Sequence, residues 1–101
     1  MIIFDFNTDP DGTIHFYKHN VVIEEVLESF ERGVIAAKNP KDPSGTSKVA
    51  YSKLRSGRFL KIIFRKKENE VYFIITAFEA TEAEKNKYLP VWERQYKSES
   101  D

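Results

Sequence analysis

Arg55–Ala80 reads RSGRFLKIIFRKKENEVYFIITAFEA, and the fold turns on this stretch. Phe59–Arg65 and Val71–Phe78 are dense in β-branched and aromatic residues, the composition of strands. Lys66–Glu70, KKENE, has the polarity of a hairpin connection between them. The second arm is apolar at nearly every position, so the pair needs cover on both faces. The flanking chain must supply that cover.

Upstream, Lys48–Lys53 reads as a further strand, and Ser56-Gly57 turns it into the hairpin. Asn39–Ser47, NPKDPSGTS, is turn-forming at almost every residue and is expected to be a mobile loop. Val34–Ala37 before it fits a short strand. Val22–Gly33 carries the clearest helical period: Ile23, Val26, Leu27 and Phe30 share one face, and Glu24, Glu25, Glu28 and Glu31 share the other. Gly33 ends it. Thr13–His19 reads as a short helix closed by Asn20, a residue that tolerates the left-handed conformation. Met1–Phe6 reads as a first strand, and Asn7–Gly12 as a turn.

Downstream, Thr81-Glu82-Ala83-Glu84 matches a capping box, Thr at the cap and Glu three residues later, so a helix starts there. Pro90 lacks the N–H a helix interior needs and is expected to kink or break it, opening a second short helix with Trp92 and Tyr96. If Pro90 swings that segment away, Trp92 and Tyr96 become an exposed aromatic patch for a partner. The expectation is an α+β fold: a small antiparallel sheet of about four strands, with helices at Val22–Arg32 and Thr81–Tyr88 packed on it.

At 101 residues the chain fits one domain, read as 1–97 with a disordered tail at Ser98–Asp101. With no cysteine, disulfides and thiolate metal sites are excluded. No apolar run approaches the ~20 residues of a membrane helix, and Met1–Asp5 lacks signal-peptide features, so a cytoplasmic protein without a membrane partner is expected. Sixteen basic and sixteen acidic residues cancel, which removes any bulk attraction for nucleic acid. Locally the balance breaks: Lys48–Lys67 holds eight Lys or Arg and no acid. That block is either a positive sheet face or the solvated edge any sheet carries.

Several short motifs occur in a fixed order: Lys18-His19-Asn20-Val21, Glu24-Glu25-Val26 with Phe30, Gly57-Arg58-Phe59-Leu60, Ile74-Ile75-Thr76-Ala77, and Thr81-x-x-Glu84 ahead of Tyr88. In this order they resemble the BrnT branch of the RelE/ParE toxin superfamily. The resemblance implies a RelE/BrnT-like fold and a ribonuclease toxin that inhibits translation, acting on RNA or the ribosome and neutralised by a cognate antitoxin. It implies no cofactor. Lys18, His19 and Arg58 match the family's motifs, and Tyr88 matches by position. Three positions depart: Phe78 stands where the family carries an arginine, Lys85 replaces another, and Asn20 stands where the family has a glycine, a change that its tolerance of the left-handed conformation accommodates. An arginine's bidentate grip on phosphate is thereby missing at Phe78.

Metal-independent RNA cleavage needs a base for the 2′-hydroxyl, cations for the phosphate and an acid for the leaving oxygen. His19 is the candidate base, because histidine titrates near neutrality; its other reading is a structural residue closing the short helix. His15 and His19 stand four apart, yet with no other His and no Cys a metal site is not expected. Lys18, His19, Arg58 and Lys61 form the catalytic set, and Lys53, Arg55, Arg65, Tyr51 and Tyr88 the RNA-binding set. Period-2 geometry puts Lys61 and Arg65 on one sheet face with Phe59 and Ile63, and Arg58 on the other with Leu60, Ile62 and Phe64. If the C-terminal helix covers the Leu60 face, Lys61 and Arg65 stay exposed beside Tyr51 or Tyr72. The second functional class is a non-catalytic member of the same fold that binds a protein through the sheet edge or the Trp92 region.

Overall fold

In the computed structural model, which describes residues 2–96, the chain forms β1 (Ile3–Phe6), a 3-10 turn (His15–His19), α1 (Ile23–Arg32), β2 (Ile35–Lys38), β3 (Lys48–Lys53), β4 (Phe59–Lys67), a second 3-10 turn (Glu68–Glu70), β5 (Val71–Glu79) and α2 (Glu82–Tyr96). The expected tail at Ser98–Asp101 lies outside the described residues. The fold is α+β, but the sheet differs from the expected four antiparallel strands. It has five, in the order β1-β5-β4-β3-β2, and it is mixed because β1 runs parallel to β5. β2 to β5 form an antiparallel meander. The 3-10 turn and α1 make the crossover that carries the chain from β1 at one edge to β2 at the other.

The central hairpin is as its composition dictates, with Lys61 opposite Phe78 and Ile62 opposite Ala77. Its register shifts between Ile63 and Phe64, leaving Ile75 as an extra residue in β5. Near that bulge β1 leaves the sheet: Asn7 N–H donates to the Ile74 carbonyl (2.9 Å) and Asn7 Nδ2 to the Ile75 carbonyl (3.3 Å). The far half of β5 therefore has no strand on the side away from β4, and the 3-10 turn packs against β5.

Two cores follow from the alternation along β4. Leu60, Ile62 and Phe64 face α1 and join Phe16, Val21, Val26, Ile74 and Ala77. Phe59 faces the other way, with Val49, Tyr51 and Trp92. α2 thus covers the Phe59 face rather than the Leu60 face, and it lies over β2 and β3. This overturns the arrangement in which Lys61 and Arg65 would both lie on the side away from the C-terminal helix. Tyr51 does share Lys61's face, whereas Tyr72 shares the opposite face with Phe64.

Pro90 neither breaks α2 nor opens a second helix; α2 is continuous through it. The lost hydrogen bond is offset by tertiary anchoring beyond the proline. Trp92 is 2% exposed and its indole N–H donates to the Gly33 carbonyl (2.8 Å). Tyr96 Oη donates to the Val34 carbonyl (2.8 Å). The exposed Trp92 patch is accordingly excluded. Gly33, at φ +111°, is where α1 ends and where the Tyr96 ring passes close by. Ser52 Oγ lies 3.1 and 2.8 Å from the carbonyls of Ser29 and Gly33, so a buried hydroxyl completes the junction of the two helices. The loop at 39–47 is organised around Asp42, whose carboxylate accepts from Ser44, Thr46 and Ser47. These bonds hold its carboxyl well below the ordinary range.

Candidate functional site

The half of β5 that lies beyond β1 brings three segments to one end of the sheet. Phe78 sits at its centre. The Lys61 ammonium lies 5.6 Å from the Phe78 ring centroid on one side, and the His19 ring lies 5.6 Å away on another. Lys61 arrives by strand pairing, directly opposite Phe78. His19 arrives because the 3-10 turn closes on Asn20, which adopts the left-handed conformation expected of it (φ 60°).

Lys61 donates to Glu84 at 2.6 Å, and both side chains are about one-fifth exposed (20% and 22%). Glu84 also completes the capping box, accepting from the Thr81 N–H (2.9 Å). Burial alone would raise its carboxyl, but the hydrogen bonds from Lys61 and Thr81 outweigh that and hold it below its ordinary value. Tyr51 Oη donates to the same carboxylate at 3.2 Å. Burial, then the nearby Glu84 charge, pushes the Tyr51 phenol well above its ordinary range, so it is a donor at every physiological pH. The Tyr51 ring is stacked on Tyr88 at 4.2 Å, lies parallel to Phe59 with centroids 6.0 Å apart, and is 4% exposed. A nucleobase has no access to its face. Tyr51, Lys61, Glu84 and Tyr88 wall a shallow groove of about 260 Å³ between α2 and the sheet.

Arg58 lies on the opposite face, as the alternation requires, at the same end of the sheet. Its Nη1 donates to Glu25 (2.8 Å) and to the Asn20 carbonyl (3.0 Å), and its Nε to Glu79 (3.4 Å). Burial would weaken its charge, but Glu25 more than compensates and its pKa is raised. Lys18 and His15 share Asp9: the His15 Nδ1 contact is 2.7 Å and the Lys18 contact 3.4 Å. That hydrogen bond from His15 lowers the Asp9 carboxyl. His19 also meets His15 edge-on at 5.9 Å and is exposed.

Lys53 pairs with Glu93 (3.2 Å) and Arg55 with Glu28 (3.8 Å), both on the far side of the sheet from β5. Arg65 differs from these. It lies over the Phe73 ring at 5.4 Å and, among the described residues, has no carboxylate within ion-pair reach. His19, Lys61 and, from the other face, Arg58 thus converge on the end of β5, whereas Lys53 and Arg55 do not. Glu84 was legible only as a helix cap; its position one helical turn before Tyr88 was the sole hint of a second role. Glu25, which ties Arg58 to α1, was legible on the acidic face and in the Glu24-Glu25-Val26 motif, but neither signal named Arg58 as its partner. No family model, curated protein or solved structure matches this chain.

Proposed function

We propose that this chain is a BrnT-like ribonuclease of the RelE/ParE toxin superfamily, cutting RNA by acid–base chemistry at the Phe78 end of the sheet. The observation that carries the reading is the convergence of His19 and Lys61 on one open ring, 5.6 Å from each. Support also comes from the element order, an acidic helix crossing to a meander with a capped helix after it, which is compatible with the fold that the motifs imply. In this reading the His19 imidazole takes the proton of a 2′-hydroxyl. The freed 2′-oxygen attacks the adjacent phosphorus, and the P–O5′ bond breaks. The 5′-oxygen leaves, taking a proton from solvent water, and a 2′,3′-cyclic phosphate remains. Lys61, still holding two of its three N–H donors beyond the Glu84 bond, stabilises the charge that builds on the phosphoryl oxygens. Phe78, in place of an arginine, contributes a low-dielectric wall that strengthens that contact. The test is cleavage of an unstructured oligonucleotide by wild type beside His19→Ala and Lys61→Ala. Loss in both folded variants is expected, and unchanged cleavage in either removes that residue from the mechanism.

One observation favours the other class. Lys18, Arg58 and Lys61, the cations of the catalytic set, each have a resident carboxylate, in Asp9, Glu25 and Glu84. A phosphate must compete with those pairs, whereas a protein-binding member of the fold needs no free cation. Its contact surface is then the exposed edge of β2, since Trp92 is buried. A folded wild type that cuts no RNA, alone or with ribosomes, selects this reading.

A further inference from the structure

From the site just described, the Phe59 face of the sheet continues along β4 and β5 to Arg65 and Lys67. Strand register defines it. Lys61 stands opposite Phe78, Ile63 opposite Thr76, Arg65 opposite Phe73 and Lys67 opposite Val71, all on one side of the sheet. β1 extends the same face with Asp5 beside Phe73 and Ile3 beside Val71. The result is a strip along the β4–β5 seam with Lys61 beside Phe78 at one end, Arg65 and Lys67 beside Phe73 at the other, and Ile63 and Thr76 between them. From Lys61 to Arg65 it runs on the order of 13 Å, four residues of extended chain.

The lower end of the strip is built rather than merely charged. Arg65 and Lys67 lie over the same ring, Phe73, at 5.4 and 4.6 Å. A cation held over an aromatic face keeps its position without losing its N–H donors to a carboxylate. Arg65 has no carboxylate within ion-pair reach among the described residues. Lys67 has Asp5 at 3.9 Å, longer than a hydrogen bond, and both side chains are largely exposed (43% and 59%). This separates Arg65 from Arg58, Lys61, Lys53 and Arg55, each of which has a carboxylate within ion-pair reach. Two preorganised cations two residues apart on one strand suit consecutive anionic groups on a chain, and the strip leads from them directly to Phe78.

We propose that Arg65 and Lys67, held over Phe73, form a phosphate-binding track that guides single-stranded RNA along β4–β5 to the Phe78 end. The inference rests on the ribonuclease reading for its direction and its substrate. It explains how a chain with no net charge takes up a polyanion: attraction is concentrated where Arg65 has no carboxylate within ion-pair reach among the described residues and Lys67 has only the exposed Asp5 at 3.9 Å. Recognition is through the backbone and independent of base sequence.

The experiment measures fluorescence anisotropy of a labelled, unstructured, fully 2′-O-methylated oligoribonucleotide, which binds without being cut. Wild type is compared with Arg65→Ala/Lys67→Ala and with Lys38→Ala/Lys48→Ala, a control that removes the same charge from exposed positions off the strip. Each phosphate contact on a single strand contributes ~0.7 to the salt slope, so the track variant should lose roughly 25-fold in affinity at 0.1 M salt. Its slope should fall by about 1.4. Phe73→Leu, which keeps the sheet's apolar packing but frees the two cations, should lose affinity with the slope unchanged. Equal losses in the track and control variants, tighter binding to polyglutamate than to the oligonucleotide, or no binding by wild type would each overturn the track. The two proposals fail separately. Cleavage of ordinary RNA with unchanged KM in Arg65→Ala/Lys67→Ala sinks the track and leaves the ribonuclease standing. Track-dependent binding by a protein that cuts nothing sinks the ribonuclease and leaves the track.

Discussion

Replacing Gly33 with alanine tests the junction that holds α2 over the sheet. Gly33 sits at φ +111°, ψ 146°, a region essentially closed to other residues, and occupying it with a side chain costs ~1–3 kcal/mol. A Cβ built there would lie 2.3 to 2.6 Å from three carbons of the Tyr96 ring. The ring must therefore move. Moving it gives up the Tyr96 Oη bond to Val34, ~1 kcal/mol, and the packing on Trp92, with centroids 5.6 Å apart, for about another 1 kcal/mol. The whole effect is then about 3–5 kcal/mol, a large share of a small domain's stability. In a Tyr96→Ala background the clash is gone and only the backbone term remains. There, Gly33→Ala should cost ~1–3 kcal/mol, a coupling of roughly 2 kcal/mol. Urea unfolding of the four proteins of this cycle, with m-values compared, gives the answer. Equal costs in both backgrounds would show that Tyr96 does not lie on Gly33 and that α2 does not continue past Pro90 as described.

Other expectations follow from the same structure. Thr76 Oγ1 is buried without a hydrogen-bond partner among the described residues, so Thr76→Val, its β-branched isostere, should stabilise the fold by about 1 kcal/mol in urea unfolding. Glu84 is held below its ordinary pKa of 4.5, so its contribution is full above that pH and lost as pH falls through the folded value. Wild type should lose stability below about pH 4.5 more steeply than Glu84→Gln, which keeps the cap but cannot titrate. Asp42→Asn should loosen the 39–47 loop, read as faster amide exchange at Ser44 and Ser47 with the sheet unaffected, because it weakens acceptance from three hydroxyls.

What could be read from the sequence was local. The Phe59–Phe78 hairpin declared itself by composition, α1 by its 3.6-residue period, and the start of α2 by Thr81 and Glu84, because each signal lies within a few residues of what it specifies. Asn20 was legible as a helix stop for the same reason. The parallel pairing of β1 with β5 was not, since Ile3 and Val71 are far apart in the chain and no local rule chooses between parallel and antiparallel. Pro90 misled because propensity is a local cost, whereas the Trp92 and Tyr96 anchors that offset it are tertiary. At the candidate site, residue types were legible and partners were not. Lys61 and Arg65 read alike on one strand, yet one faces Glu84 and the other is held over Phe73. How far along that shared face α2 reaches decides the difference, and it is a property of the assembled fold.

The central claim is that His19 and Lys61, meeting at Phe78, cut RNA through the 2′-hydroxyl. The most direct measurement is cleavage of two otherwise identical unstructured oligonucleotides, one of RNA and one with every 2′-hydroxyl methylated, with the product ends determined by mass spectrometry. The account predicts that wild type cuts the first to a 2′,3′-cyclic phosphate and a 5′-hydroxyl and leaves the second intact. Cleavage of both, or products bearing a 5′-phosphate, would contradict it.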